Sequence, residues 1–208
     1  MKWYDKISYY YDFVTLCFYR NARKKLINSI NIKENDNILI IACGTGQSFA
    51  LFQEKLRGTG QIVAVDSSEG MLKQSRKKIC SNNWKNIRLI QADARDISID
   101  FFAKMGIHSQ FDVVIGELAF SVIPEYEKVM KNSIDLLING GKIGLLDWYR
   151  PENDVITKIV NYFADAQITR ETASYAESLV SEYKTIYKFF FQSIYVGIGI
   201  KQEYKLNT

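Results

Sequence analysis

At 208 residues, 47% hydrophobic and 24% charged, the chain has the size and apolar content of one domain with a full core, and two Pro and twelve Gly exclude a disordered or fibrous protein. No apolar run approaches the ~20 residues that cross a bilayer, and the N-terminus carries charges and tyrosines where a secretory signal needs an apolar stretch. One His and three cysteines without close pairing, Cys17, Cys43 and Cys80, argue against a metal site or a disulfide framework and fit a reducing cytoplasm.

The net charge of +4 is uneven. Residues 1–33 hold seven Lys/Arg against Asp5 and Asp12, so the rest of the chain sums to about −1. A local basic excess suits a solvated helix face, or attraction to an anionic substrate or a membrane surface. It does not continue as the stripe that nucleic acid needs, so no nucleic-acid partner is expected.

Residues 2–16 are dense in aromatics and free of Pro and Gly, which predicts helix. Residues 19–30 continue as a basic amphipathic helix with Ala22, Leu26, Ile27 and Ile30 apolar. No linker follows, so 1–33 reads as a helical cap or lid on a core of 36–208, all one domain. The stretch Asn37–Asp66 organises that core. An apolar run, Ile38–Ala42, meets the small-residue turn Cys43-Gly44-Thr45-Gly46. A helical pattern follows, with Phe49, Ala50, Phe52 and Leu56 on one side, then a second apolar run, Ile62–Val65, and Asp66. Strand, Gly-rich turn, helix, strand and acid make half of a nucleotide-binding α/β fold.

Ser67-Ser68-Glu69 offers N-cap chemistry for a helix to about Ile79. Ile87–Ile90 predicts a third strand and Phe111–Ile115 a fourth; 97–106 is ambiguous and partly helical. Pro124 opens a helix with Val129, Met130, Ile134 and Leu137 at helical spacing, and Asn139-Gly140-Gly141 predicts a turn before the fifth strand, Lys142–Trp148. Residues 154–164 and 169–180 read as helices. Two strands follow, about 183–190 and 194–201, with a turn near Gln192-Ser193 tight enough to make them antiparallel. The expected class is α/β: a Rossmann-like, seven-stranded, mostly parallel sheet with an antiparallel C-terminal hairpin, helices on both faces and the N-terminal cap.

These motifs together resemble the class I S-adenosylmethionine-dependent methyltransferases. The matching segments are Ala42–Gly46 after strand one, Val63–Asp66 ending strand two, Gln91–Ala94, Phe111–Val114, and Leu137–Lys142 before strand five. Tyr11-Asp12, Arg20 to Arg23 and Ser121–Pro124 are similar to the group that holds ubiquinone/menaquinone C-methyltransferases and bacterial phosphatidylethanolamine N-methyltransferases.

The resemblance implies S-adenosyl-L-methionine as cofactor, with S-adenosyl-L-homocysteine as product, and transfer to a small-molecule or lipid-headgroup acceptor such as an amine or quinol. It implies cofactor binding by Ala42, Gly44, Gly46, Asp66, Ser67, Met71, Asp93 and Ala94. Gly44 and Gly46 let backbone approach the cofactor, Asp66 accepts from the ribose hydroxyls, and Asp93 accepts from the adenine amino group. In-line displacement from a sulfonium needs chiefly positioning and desolvation. Acceptor-side candidates are Glu117 and Tyr11 for catalysis and Tyr10, Trp148 and Tyr149 for substrate contact; packing is the plain alternative for each aromatic, and His108 reads as a loop residue.

One departure stands out. The family usually carries Asp or Glu at the position of Ile40, and Gly at that of Ala42. Without that acid the cofactor's ammonium needs another acceptor: Glu117, or backbone carbonyls near Ala42 or after Ile115. The gap also motivates an alternative, a non-catalytic S-adenosylmethionine-binding regulatory module. A dinucleotide reading of Gly44-x-Gly46 fails, because its third glycine would fall at Phe49, too bulky for close helix–strand packing.

Overall fold

The computed structural model describes residues 18–152, 154–164, 166–190 and 192–202. The helix predicted over 2–16, with Tyr10 and Tyr11, lies outside them. The chain runs α1 (residues 18–29), β1 (Asn37–Ile41), α2 (Phe49–Leu56), β2 (Gln61–Asp66), α3 (Glu69–Ser81) and β3 (Ile87–Gln91). A 3-10 turn (Ala94–Asp96), α4 (Ile99–Lys104), β4 (Phe111–Glu117), α5 (Tyr126–Asp135) and β5 (Leu137–Trp148) follow, then α6 (Val155–Ala164), α7 (Thr172–Leu179), β6 (Glu182–Phe189) and β7 (Ile194–Ile200).

The seven strands form one sheet in the order β3-β2-β1-β4-β5-β7-β6. The first five are parallel, and β7 runs antiparallel to both β5 and β6. Alternating strand residues face opposite layers, as the pleat requires. Leu39, Ile41, Val63, Val65 and Val114 pack with Val129, Met130 and Ile134 of α5 and Ala176 of α7. Ile38, Ile40, Ile62, Ala64, Val113 and Ile115 pack with α1 and α2.

Helix α1 buries Ala22, Leu26 and Ile27 against the sheet, joined by Ile30 just past its end. It comes so close to β5 that a Cβ on Gly144 would lie 2.8 Å from Ile30 Cδ1 and 3.0 Å from Leu26 Cδ1. The described part of the expected cap is thus an ordinary layer helix. Ala50 faces solvent, leaving Phe49, Phe52 and Leu56 as the buried stripe of α2. Leu137 belongs to β5. Asn139-Gly140-Gly141 is a bulge inside that strand, because Phe111 pairs with Leu137 but Val113 with Lys142. A turn signal read from composition alone does not distinguish a chain reversal from extra residues looped out of a continuing strand.

After β1 the chain builds β2 and β3 on one side, then returns to place β4 on the other. That reversal opens a crevice at the carboxyl ends of β1 and β4, where open α/β sheets bind ligands.

Candidate functional site

The turn after β1 sets the backbone of the site. Ala42, Gly44 and Gly46 all have positive φ, at 51°, 56° and 70°. Ala42 therefore holds a left-handed conformation that disfavours a side chain, roughly 1–2 kcal/mol for an L-residue. A Cβ added to Gly44 would meet nothing within 4 Å, so this backbone is open to a ligand. A Cβ on Gly46 would lie 2.4 Å from the Phe49 ring, so there glycine is required by packing.

Neighbouring elements pin the turn. Gly44 N donates to Asp66 Oδ2 at 2.7 Å. From α3, Ser75 Oγ donates to Gly44 O at 2.9 Å and Lys78 Nζ donates to Thr45 O at 2.9 Å. Asp66 Oδ1 also accepts from Ser68 N at 2.9 Å, and Ser68 Oγ caps α3 by accepting from Met71 N. The Asp66 carboxylate thus fastens the turn and also lines the cavity, where it is an acceptor for ligand hydroxyls. Burial and the Asp66 charge push the Cys43 thiol up, which keeps it protonated and poorly nucleophilic.

A cavity of 380 Å³ opens beside this turn. Its lining brings together Ala42, Gly44, Asp66, Ser67, Met71, Asp93, Ala94 and Glu117. Gly46 instead lines a smaller adjoining chamber with Arg23, Ile40, Ser48 and Glu117. Asp93 is more constrained than the sequence suggests. It caps the 3-10 turn by accepting from Arg95 N at 2.9 Å, and its oxygens take Arg95 Nε at 3.0 Å and Nη2 at 2.7 Å. This pairing holds its carboxyl below the ordinary carboxylate range.

Glu117 ends β4. Ser48 Oγ lies 2.7 and 2.6 Å from its two oxygens, and Arg23 Nε donates to Oε2 at 3.1 Å. The pair is nearly enclosed, with side-chain exposures of 6% for Arg23 and 12% for Glu117.

The wall facing Gly44 comes from two segments distant in sequence: Leu118, Val122, Ile123 and Pro124 after β4, and Ala166, Gln167 and Arg170 between α6 and α7. Polar contacts hold them together. Gln167 N donates to Ser121 O at 2.7 Å, and Arg170 Nη1 donates to Phe120 O at 2.9 Å and Ile123 O at 2.6 Å. The buried Asp147 carboxylate accepts from Ser121 N at 3.0 Å, Ser121 Oγ at 2.5 Å and Trp148 N at 2.8 Å. Burial raises its pKa to about 6 despite those bonds.

Trp148 and Tyr149 do not line the cavity. Trp148 packs in the core against Phe190, and Tyr149 N donates to Ser193 O at 2.8 Å. Trp148 sits where β5 pairs with β7, and the half-buried Tyr149 ring packs against the core layer of α5 and α7. His108 is exposed in the loop before β4. Ser48, Arg95, Gln167 and Arg170 also line the site, beyond the residues expected from sequence. Ser48 and Arg95 lie two residues beyond recognised motif positions and were within reach; Gln167 and Arg170 carry no local signature.

The set fits S-adenosylmethionine: open backbone at Gly44, acceptors at Asp66 and Asp93, a small residue at Ala94, and apolar Met71 and Val65 for a base. Comparison with known proteins agrees. The ubiE/COQ5 methyltransferase family matches residues 1–196. A demethylmenaquinone methyltransferase of Listeria monocytogenes is 25% identical over 154 residues, 72% of this chain and 62% of that protein. The match thus spans about three fifths of the length of that relative. Among solved structures, a SAM-dependent methyltransferase of Aquifex aeolicus superposes with a TM-score of 0.62 at 13% identity, over 86% of this chain and 88% of that one. Phosphoethanolamine N-methyltransferase 2 of Haemonchus contortus, solved with S-adenosyl-L-methionine, superposes with a TM-score of 0.68 at 12% identity, over 88% of this chain and 53% of that one. At such identity the structures speak for the fold alone, but the family match covers nearly the whole sequence, and the chain belongs to the ubiE/COQ5 methyltransferase family.

Proposed function

We propose that this chain is an S-adenosylmethionine-dependent methyltransferase whose acceptor is an electron-rich aromatic of the quinol or phenol type. S-adenosylmethionine supplies an electrophilic methyl group on a sulfonium when bound. Asp66 and Asp93 hold the nucleoside end, and the Gly44 turn brings backbone against it. The acceptor rests on the opposite wall, where Leu118, Val122, Ile123 and Pro124 exclude water and offer a flat ring apolar contact.

The observation that carries the acceptor class is the charge of that wall. Among the described residues its one charged side chain is a cation, Arg170, partly buried. Glu117, which borders the wall where β4 ends, faces Arg23 and Ser48 beside the turn after β1. A wall whose charge is a guanidinium repels an ammonium and favours an acceptor oxygen held as a phenolate, whose negative charge activates the ring carbon for attack. The name of the Listeria relative points the same way.

The test is a labelled-methyl assay against pooled quinols, phenols, amines, thiols and phospholipids, with reductant present to keep quinols reduced. Label is expected in the quinol or phenol pool. Label confined to amines or phospholipids overturns the acceptor class, and cofactor binding without turnover on any pool supports a regulatory module instead.

A further inference from the structure

We propose that Arg23, Glu117 and Ser48 form a clamp for the zwitterionic α-amino-acid end of the cofactor, and that this clamp selects the intact amino acid. The inference rests on the S-adenosylmethionine reading above and deepens it.

The cavity is divided. Its large part holds Asp66 and Asp93; the adjoining chamber, only 30 Å³, is lined by Arg23, Ser48 and the turn at residues 42–46. Ala42, Gly44 and Glu117 line both, so the carboxylate stands at the junction. The chamber's β1 wall is Ile40, an apolar residue 4% exposed, and gives no charge. Both charges come from elsewhere: the cation from α1, and the anion from the end of β4, 94 residues later.

Packing does not call for this pair. Helix α1 already seats Ala22, Leu26 and Ile27 on the sheet, and an apolar residue at position 23 would extend that face without the desolvation that two nearly buried charges incur. One anion and one cation beside a small chamber complement a group carrying an ammonium and a carboxylate. Among the described residues Glu117 accepts only from Ser48 and Arg23, which leaves lone-pair capacity for an ammonium donor. Ser48 fixes the carboxylate and keeps it aimed at the junction.

The experiment is calorimetric binding of two ligands that share nucleoside and thioether. S-adenosylhomocysteine has the amino-acid end and 5′-methylthioadenosine lacks it. For Glu117→Gln the Kd for S-adenosylhomocysteine should rise about 10- to 100-fold, while that for methylthioadenosine stays within about twofold. Equal losses on both ligands, or none on either, overturn the clamp and leave the pair as a fastening for α1. Ser48→Ala keeps both charges and guards against a misfolded first variant; it should lose about threefold to fivefold, on S-adenosylhomocysteine alone. A loss shared by both ligands, or absent from both, again overturns the proposal. Wild-type protein binding neither ligand would overturn the cofactor reading and the clamp together, a result distinct from either variant's failure.

Discussion

The two walls of the cavity are built in different ways. The nucleoside wall comes from residues 42–94, where each functional group sits at the end of a strand or the start of the next helix. The acceptor wall joins residues 118–124 to 166–170, tied by side-chain bonds to backbone carbonyls and by Asp147 beneath. The first wall inherits its geometry from the sheet. The second exists only once distant segments have docked. Substitutions on the first should therefore act on cofactor affinity, and on the second on loop order and acceptor affinity.

The largest expected effect tests the nucleoside wall. Asp66→Ala removes the ribose acceptor and strands the Gly44 and Ser68 amides. S-adenosylhomocysteine affinity should fall about a thousandfold, ~4 kcal/mol for two charge-assisted hydrogen bonds, as read by calorimetry. Retained affinity would mean that this wall does not hold the nucleoside.

Asp147 tests the acceptor wall through pH. A carboxyl near 3.9 when unfolded and about 6 when folded binds its proton more tightly in the native state. Stability is then fully present below about pH 4 and declines as pH rises to 6, by roughly 3 kcal/mol for a two-unit shift. Urea midpoints at pH 4, 5 and 6 should show this slope in the wild type and a flatter one in Asp147→Asn. Equal slopes would mean that the fastening does not depend on this carboxylate.

Gly46→Ala places a methyl 2.4 Å from a Phe49 ring that is 1% exposed, at positive φ. It should lower stability by about 2 kcal/mol and Tm by about 4–8 °C in calorimetric scans. Smallest is Arg170→Met, which should raise the acceptor KM about tenfold and leave cofactor Kd unchanged, as expected for one partly buried charged contact. A matching change in cofactor Kd would erase the distinction between the walls.

The same division explains what the sequence disclosed. Asp66, Gly44 and Asp93 are legible because a strand's hydrophobic run ends at a predictable residue and the turn after it needs glycine. The fold follows, since each strand announces itself by a short apolar run. Trp148 and Tyr149 also stand at a strand's end, yet the pairing with β7 and the packing of their rings keep both out of the cavity lining, which local sequence does not signal. The Asn139–Gly141 bulge shows the same limit, because local composition does not contain the partner strand's register. Gln167 and Arg170 are brought to the wall by carbonyls about 45–50 residues upstream.

The antiparallel course of β7 has a practical consequence. Its last residue, Ile200, pairs with Lys142, and Lys201 N donates to Gly141 O, so the strand finishes at the amino edge of the sheet. The cavity opens at the opposite, carboxyl edge. Tethering the protein to a sensor surface through exposed Gln202 would point the mouth toward solution. Ligand arrival and departure could then be timed on immobilised protein without the support shielding either wall.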